Sequence, residues 1–171
     1  DDVNLVLRGL SRFEPRPNCV NLLWIISHPD EVSLEEISQY DHVFVASLRE
    51  SDRISESAAT RVSPLLQCSD PELFFPDFDS SSETQVLFVA NSRGVNRPSV
   101  DWSLQANLPL SVIGKGWSDE VPVVAENIGP ERLRKMYSSA AVVLSDAWPD
   151  MEARGFISNR VFDVALCAGT L

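Results

Sequence analysis

Five short apolar runs, separated by polar stretches of helical length, constrain this chain more than any other feature. Residues 20–26 read VNLLWII, 42–46 HVFVA, 85–90 QVLFVA, 108–113 LPLSVI and 140–144 AAVVL. Runs apolar at nearly every position suit strands buried on both faces, as in parallel sheets. Residues 3–10 are a weaker strand candidate, 121–125 read as a short strand, and 62–66, with Pro64 inside, reads as an edge strand or an irregular extended segment. The intervening stretches carry helix signals. Ser33 with Glu36 three residues on suggests a capping box, residues 49–59 form a polar surface helix, and Pro98 and Pro130 each suit a first helical turn. Strands alternating with short helices predict an α/β fold with Rossmann-like parallel sheets and right-handed crossovers. The alternation breaks over residues 68–84, with Asp70-Pro71, Pro76 and Ser80-Ser81-Ser82. The expected division is therefore residues 1–70, a hinge at 71–84, and a second domain at 85–171.

A chain of 171 residues with 44% hydrophobic content can build a real core. No apolar run is long enough to span a membrane and no signal peptide opens the sequence. Three cysteines without metal-ligand spacing fit a reducing compartment, so a cytoplasmic location is expected. A net charge of −11 argues against general nucleic-acid binding. That charge is uneven: residues 1–84 carry 6 Lys+Arg and 16 Asp+Glu, a balance of −10, and residues 85–171 carry 8 and 9, a balance of −1. Arg93, Arg97, Lys115, Arg154 and Arg160 fall at loops or helix starts in the second half, a pattern suited to a local anionic ligand.

Ligands of open parallel sheets bind beyond the carboxyl ends of strands. Three such ends in the second half are polar: Asn91-Ser92-Arg93-Gly94 with Arg97, Gly114-Lys115-Gly116, and the stretch from Asp146 to Arg160. In the last, Ser158 or Asn159 stands at a helix N-cap position, Arg160 in the first turn and Asp163 one turn on. Free N–H groups and an arginine suit a phosphate, and an acid one turn along suits the hydroxyls of a ribose. There is no GxGxxG and no Walker sequence, so the nicotinamide-cofactor and P-loop readings lack their fingerprints. Trp24 and Trp148 are expected in the core and His42 is expected to be structural. His28, in Ser27-His28-Pro29-Asp30 after a strand, is a candidate general base for an acceptor hydroxyl or a donor-sugar contact.

The run DMEARGFISNRVFDVALCAGT resembles the glycosyltransferase group 1 family, most closely its branch similar to spore-maturation-type proteins. VLFVANSRGVNR, LSVIGKGW and LRKMYSSAAVVLSDAW resemble the same branch in order and spacing. The resemblance covers residues 60–171 well and 20–59 more loosely. It implies a GT-B fold, with residues 1–70 as the end of an acceptor-side domain and the second domain holding a nucleotide-diphosphate-sugar donor. It further implies that Ser92, Arg93, Arg97, Gly114, Ser158, Asn159 and Arg160 bind the diphosphate and Asp163 the ribose. No cofactor or metal is implied, since arginines and helix dipoles stabilise the leaving diphosphate. The acceptor is left open as a sugar, lipid or protein.

The sequence departs from the family in two places. Arg154 stands where relatives keep an acid just before Gly-Phe, with Glu152 two residues earlier as the substitute candidate, and Asp163 replaces a glutamate. These departures leave room for a non-catalytic nucleotide-sugar-binding or assembly module, or a GT-B-like nucleotide-sugar epimerase. The resemblance also implies a fragment, whose first domain lacks opening strands and whose second would run on past Leu171.

Overall fold

The structure, a computed structural model, describes residues 2–171. The protein is α/β and contains two four-stranded, all-parallel sheets. The chain divides into two compact units. One holds residues up to Gln67 together with Ala147–Ser158; the other holds Cys68–Asp146 and Asn159–Leu171. Residues 147–158, which the alternation assigns to the second half, thus pack with the first unit.

The first unit contains β1 (Asp2–Arg8), β2 (Cys19–Ile25), α1 (Leu34–Ile37), β3 (His42–Val45), α2 (Leu48–Ser55) and β4 (Arg61–Pro64). Its strand order is β1-β2-β3-β4. Successive crossovers of one hand that always step in one direction fall on one face. That face holds Val6, Leu23, Ile25, Val43 and Val45 against Ile37, Tyr40 and Ile54. The opposite face carries Val3, Leu5, Leu7 and Val20, all exposed, and Trp24 pairs with Leu7 in register on it. The almost wholly apolar run in β2, broken only by Asn21, therefore marks a strand buried on one face, not two. Trp24 is half-buried there and donates its indole N–H to Leu65 O at 2.8 Å.

The expected capping box of α1 is half formed. Ser33 Oγ accepts from Glu36 N at 3.1 Å. The Glu36 carboxylate turns instead to Arg8 at 2.7 Å, in an ion pair with both side chains almost wholly buried. Arg8 also donates to Glu31 O at 3.0 Å and to Gly9 O. Such a buried charge persists only when its donors and acceptors are matched.

The second unit contains β5 (Thr84–Val89), α3 (Pro98–Gln105), β6 (Leu110–Ile113), β7 (Val123–Ala125), α4 (Pro130–Ser139), β8 (Ala140–Leu144) and α6 (Asn159–Leu166); α5 (Pro149–Ala153) belongs to the first. The order β7-β6-β5-β8 reverses between β5 and β8, so crossovers cover both faces. The period-two alternation of β5 serves both: Leu87 packs with Met136, Tyr137, Val143 and Val164, while Val86 and Phe88 pack with Val100, Leu110 and Val112.

Within the polar stretch from Asp146 to Arg160, Pro149–Ala153 forms a short helix with a defined stop. Gly155 has φ +72°, its N–H reaches Glu152 O at 3.1 Å, and Phe156 N–H reaches Met151 O at 2.9 Å. This is a Schellman motif, with Met151 and Phe156 as its buried apolar contact pair. The Gly-Phe pair is thus explained by helix termination and burial.

Candidate functional site

The second sheet places the ends of β5 and β6 side by side, and their loops are stitched together. Asn91 Oδ1 accepts from Lys115 N at 2.8 Å. Ser92 N donates to Lys115 O at 3.0 Å, and Ser92 Oγ donates to Gly116 O. Ser92 Oγ also accepts from Gly94 N at 3.3 Å. Arg93 and Gly94 adopt left-handed φ values of 57° and 68° in succession, which turns the chain over the strand ends. Gly114 lies where the loops touch: at φ +151°, a Cβ there would sit 2.0 Å from Ala90 O. Only a glycine allows that approach.

Across the reversal in strand order, Arg97 after β5 meets Asp146 after β8. Arg97 Nε lies 3.0 and 2.9 Å from the two carboxylate oxygens, and its Nη2 donates to Asp146 Oδ1 as well. Arg97 Nη1 donates to Asn91 O at 2.8 Å, and the guanidinium sits 5.0 Å from the Phe88 ring centre. Three polar strand ends therefore converge at the crevice where open α/β sheets hold ligands. Asp146, which opens the third polar strand end, is the partner of Arg97. The two lie far apart in sequence, and only their positions at the ends of adjacent strands hint at the pairing.

On α6, Asn159 Nδ2 donates to Asp163 Oδ2 at 3.2 Å, and Arg160 donates to Tyr137 Oη at 3.3 Å. Asp163 is only 8% exposed. Burial raises its pKa, and the Arg160 charge opposes that rise. Tyr137 is fully buried, and burial pushes its pKa up to about 12, helped by Asp163 and Cys167 and opposed by Arg160. Tyr137 carried no signal in the sequence beyond its place on an apolar helix face.

His28, Glu152 and Ser158 belong to the first unit, whereas Ser92, Arg93, Arg97, Gly114, Asn159, Arg160 and Asp163 belong to the second. His28 is held at φ 50°, ψ 55°. Left-handed backbone is uncommon outside glycine, although histidine tolerates it better than most residues. Its Nδ1 is 3.1 Å from Ser27 Oγ, and its ring centre is 5.4 Å from that of Trp148. Trp148 packs against the first unit's core, as expected. Glu152 is exposed on α5, and Ser158 is half-buried. His42 stacks on Phe44 with 4.5 Å between ring centres, and its pKa is lowered chiefly by burial and further by Arg61.

A separate polar hollow of about 520 Å³ lies along α4. Two ion pairs line it: Arg134 pairs with Asp77 at 2.9 Å, and Lys135 approaches Asp79 at 3.9 Å. Among the described residues, no group of three or more His, Cys, Asp or Glu is arranged to hold a metal ion. Among them, too, no helix is long and apolar enough to cross a membrane. The chain matches no protein-family model and no curated protein.

Proposed function

We propose that this protein binds a nucleotide-diphosphate sugar at the carboxyl edge of its second sheet and transfers the sugar to an acceptor without a metal. The observation that carries the reading is the convergence of the Asn91–Arg97 loop, the Gly114–Gly116 loop and Asp146 at the strand-order reversal. Close backbone approach at Gly114 and the left-handed turn at Arg93-Gly94 suit a ligand lying against main chain. In this reading Ser92, Arg93, Gly114, Asn159 and Arg160 serve the diphosphate. Arg97, saturated by Asp146 and Asn91, fixes the loops around it. Asp163 takes the ribose, which requires its carboxylate to exchange Asn159 for sugar hydroxyls. His28 and Glu152 are the candidates for acceptor activation and donor-sugar contact. The decisive experiment is a thermal-shift and calorimetric screen of UDP, GDP, TDP and their sugars, because a ligand that binds only the folded state raises apparent stability. Absence of saturable binding by any of them would end the reading.

A second reading, a nucleotide-sugar-binding module without turnover, is favoured by Arg154. In place of an acid before Gly-Phe, the chain presents a guanidinium tied to Asp30 at 2.9 Å and Glu50 at 3.5 Å. Saturable donor binding with neither transfer nor hydrolysis would select this reading. Interconversion of free UDP-sugars would select an epimerase instead.

A further inference from the structure

The segment 147–158 is sequence from the second half built into the first unit. Two kinds of contact seat it. Met151 and Phe156 enter the buried cluster around Leu23, Ile25 and Val45, with Trp148 packed against it. A set of polar contacts converges on Arg154. Ser47, fully buried as the N-cap of α2, accepts from Glu50 N at 3.1 Å and donates its one hydroxyl proton to Arg154 O at 2.6 Å. Glu50 is 1% exposed, and Arg53 binds both of its oxygens, at 2.8 and 2.6 Å. Arg154 adds a second cation at 3.5 Å and extends to Asp30 at 2.9 Å. The result is an alternating chain, Asp30–Arg154–Glu50–Arg53. At Gly155 the segment lies in ordinary van der Waals contact with α2, where a Cβ would sit 3.4 Å from Ser47 Oγ.

We infer that Arg154 is a positioning residue: its guanidinium, by pairing with the buried Glu50 and with Asp30, fixes the 147–158 strap on the first unit and with it Glu152 and the Trp148 ring beside His28. The physical reason is the cost of burying Glu50. A buried carboxylate needs its full complement of cations and donors, and one of those cations is carried on the strap. An acid at position 154 would face Glu50 and Asp30 with like charge and lift the strap away. The arginine at the place where the resemblance expects an acid is accounted for in this way. The inference stands on contacts inside the first unit and does not depend on nucleotide-sugar binding.

Hydrogen exchange read by mass spectrometry on the full chain tests it. The reporters are the strap amides of Glu152, Arg154, Gly155 and Phe156, which bond to Trp148, Asp150, Glu152 and Met151. Arg154→Met keeps the aliphatic stem and removes the charge. We expect it to speed strap exchange about tenfold or more, with peptides from β5 and β6 unchanged. Arg154→Lys keeps the charge but loses the fork, and should accelerate exchange by less than about threefold. Asp30→Asn, at an exposed partner, should loosen the strap by about twofold to threefold. Strap exchange in Arg154→Met within about twofold of the parent would overturn the inference. So would an equal acceleration across strap, β2 and β5, which would make Arg154 a support of the whole fold. If Arg154→Met does not fold, the Asp30→Asn and Arg154→Lys results decide: strap-confined acceleration supports the inference, and its absence in both overturns it.

Discussion

The guanidinium of Arg97 and the carboxylate of Asp146 face one another where the second sheet reverses its strand order, with Nε 2.9 Å from Oδ2 and both side chains 15% exposed. With Asn91 O on the remaining edge, the arginine is a clasp between the β5 and β8 loops. Removing one partner of a largely buried pair strands the other, so Arg97→Ala should cost about 3 kcal/mol in denaturant unfolding. Asp146→Asn should also destabilise, but it frees a cation at the crevice. We expect it to bind nucleotide diphosphates more tightly than the parent does, as measured by calorimetry.

Arg160 is the arginine at the start of α6, bonded to Tyr137 Oη at 3.3 Å. If it serves the diphosphate, Arg160→Ala should weaken nucleotide-diphosphate binding by about 1.5–3 kcal/mol, the range for a hydrogen bond to a charged group. Asp163→Asn should weaken it less. Unchanged affinity in Arg160→Ala would remove α6 from the site.

Gly114 and Gly94 separate close approach from conformational need. An alanine at 114 would drive Cβ to 2.0 Å from Ala90 O and 2.5 Å from Ala90 C, both backbone. We expect Gly114→Ala to cost at least about 3 kcal/mol, or to prevent folding of the second unit. At Gly94, with φ +68° and open space around it, Gly94→Ala should cost only about 1–2 kcal/mol, the left-handed penalty alone. Comparable losses at the two positions, measured in the same denaturant series, would contradict the geometry.

Tyr137 gives the second unit a pH dependence on the alkaline side. Its folded pKa is raised, by burial first, from the model-peptide value of 10.0 to about 12. The folded state therefore holds the phenolic proton more tightly than the unfolded chain does. Stability from this group is fully present below pH 10 and is lost as pH rises from about 10 to about 12, in total about 2–3 kcal/mol. Tyr137→Phe should flatten that part of the stability–pH curve, and ultraviolet titration should show one fewer late-ionising tyrosine.

Much of the fold was legible in the residue pattern because strands and helices follow short-range rules. The runs at 20–26, 42–46, 85–90 and 140–144 all became parallel strands, and Pro98 and Pro130 each open a helix. Gly155-Phe156 was noticed as a motif, and its local chemistry, a left-handed cap followed by a buried aromatic, accounts for it. Composition did not show how many faces of a sheet are covered. The run VNLLWII is equally apolar whether one face or both are buried, and only the order β1-β2-β3-β4 puts all the crossovers on one side.

The candidate site divides along the same line. Sequence marked Ser92, Gly114, Asn159, Arg160 and Asp163 because polar and small residues at strand ends and helix starts have local causes. It could not pair Arg97 with Asp146, or Arg154 with Glu50 and Asp30, because those contacts join residues far apart in the chain. The sequence by itself determined the α/β class, the parallel strands and the positions of their polar ends, since each follows from periodicity, capping and turn chemistry within a few residues. Only the tertiary structure decided which charges are satisfied, which glycine is sterically required, and that the strap carrying Arg154 belongs to the first unit. Those outcomes depend on which strand ends become neighbours, and a buried charge takes whatever partner the fold brings within reach.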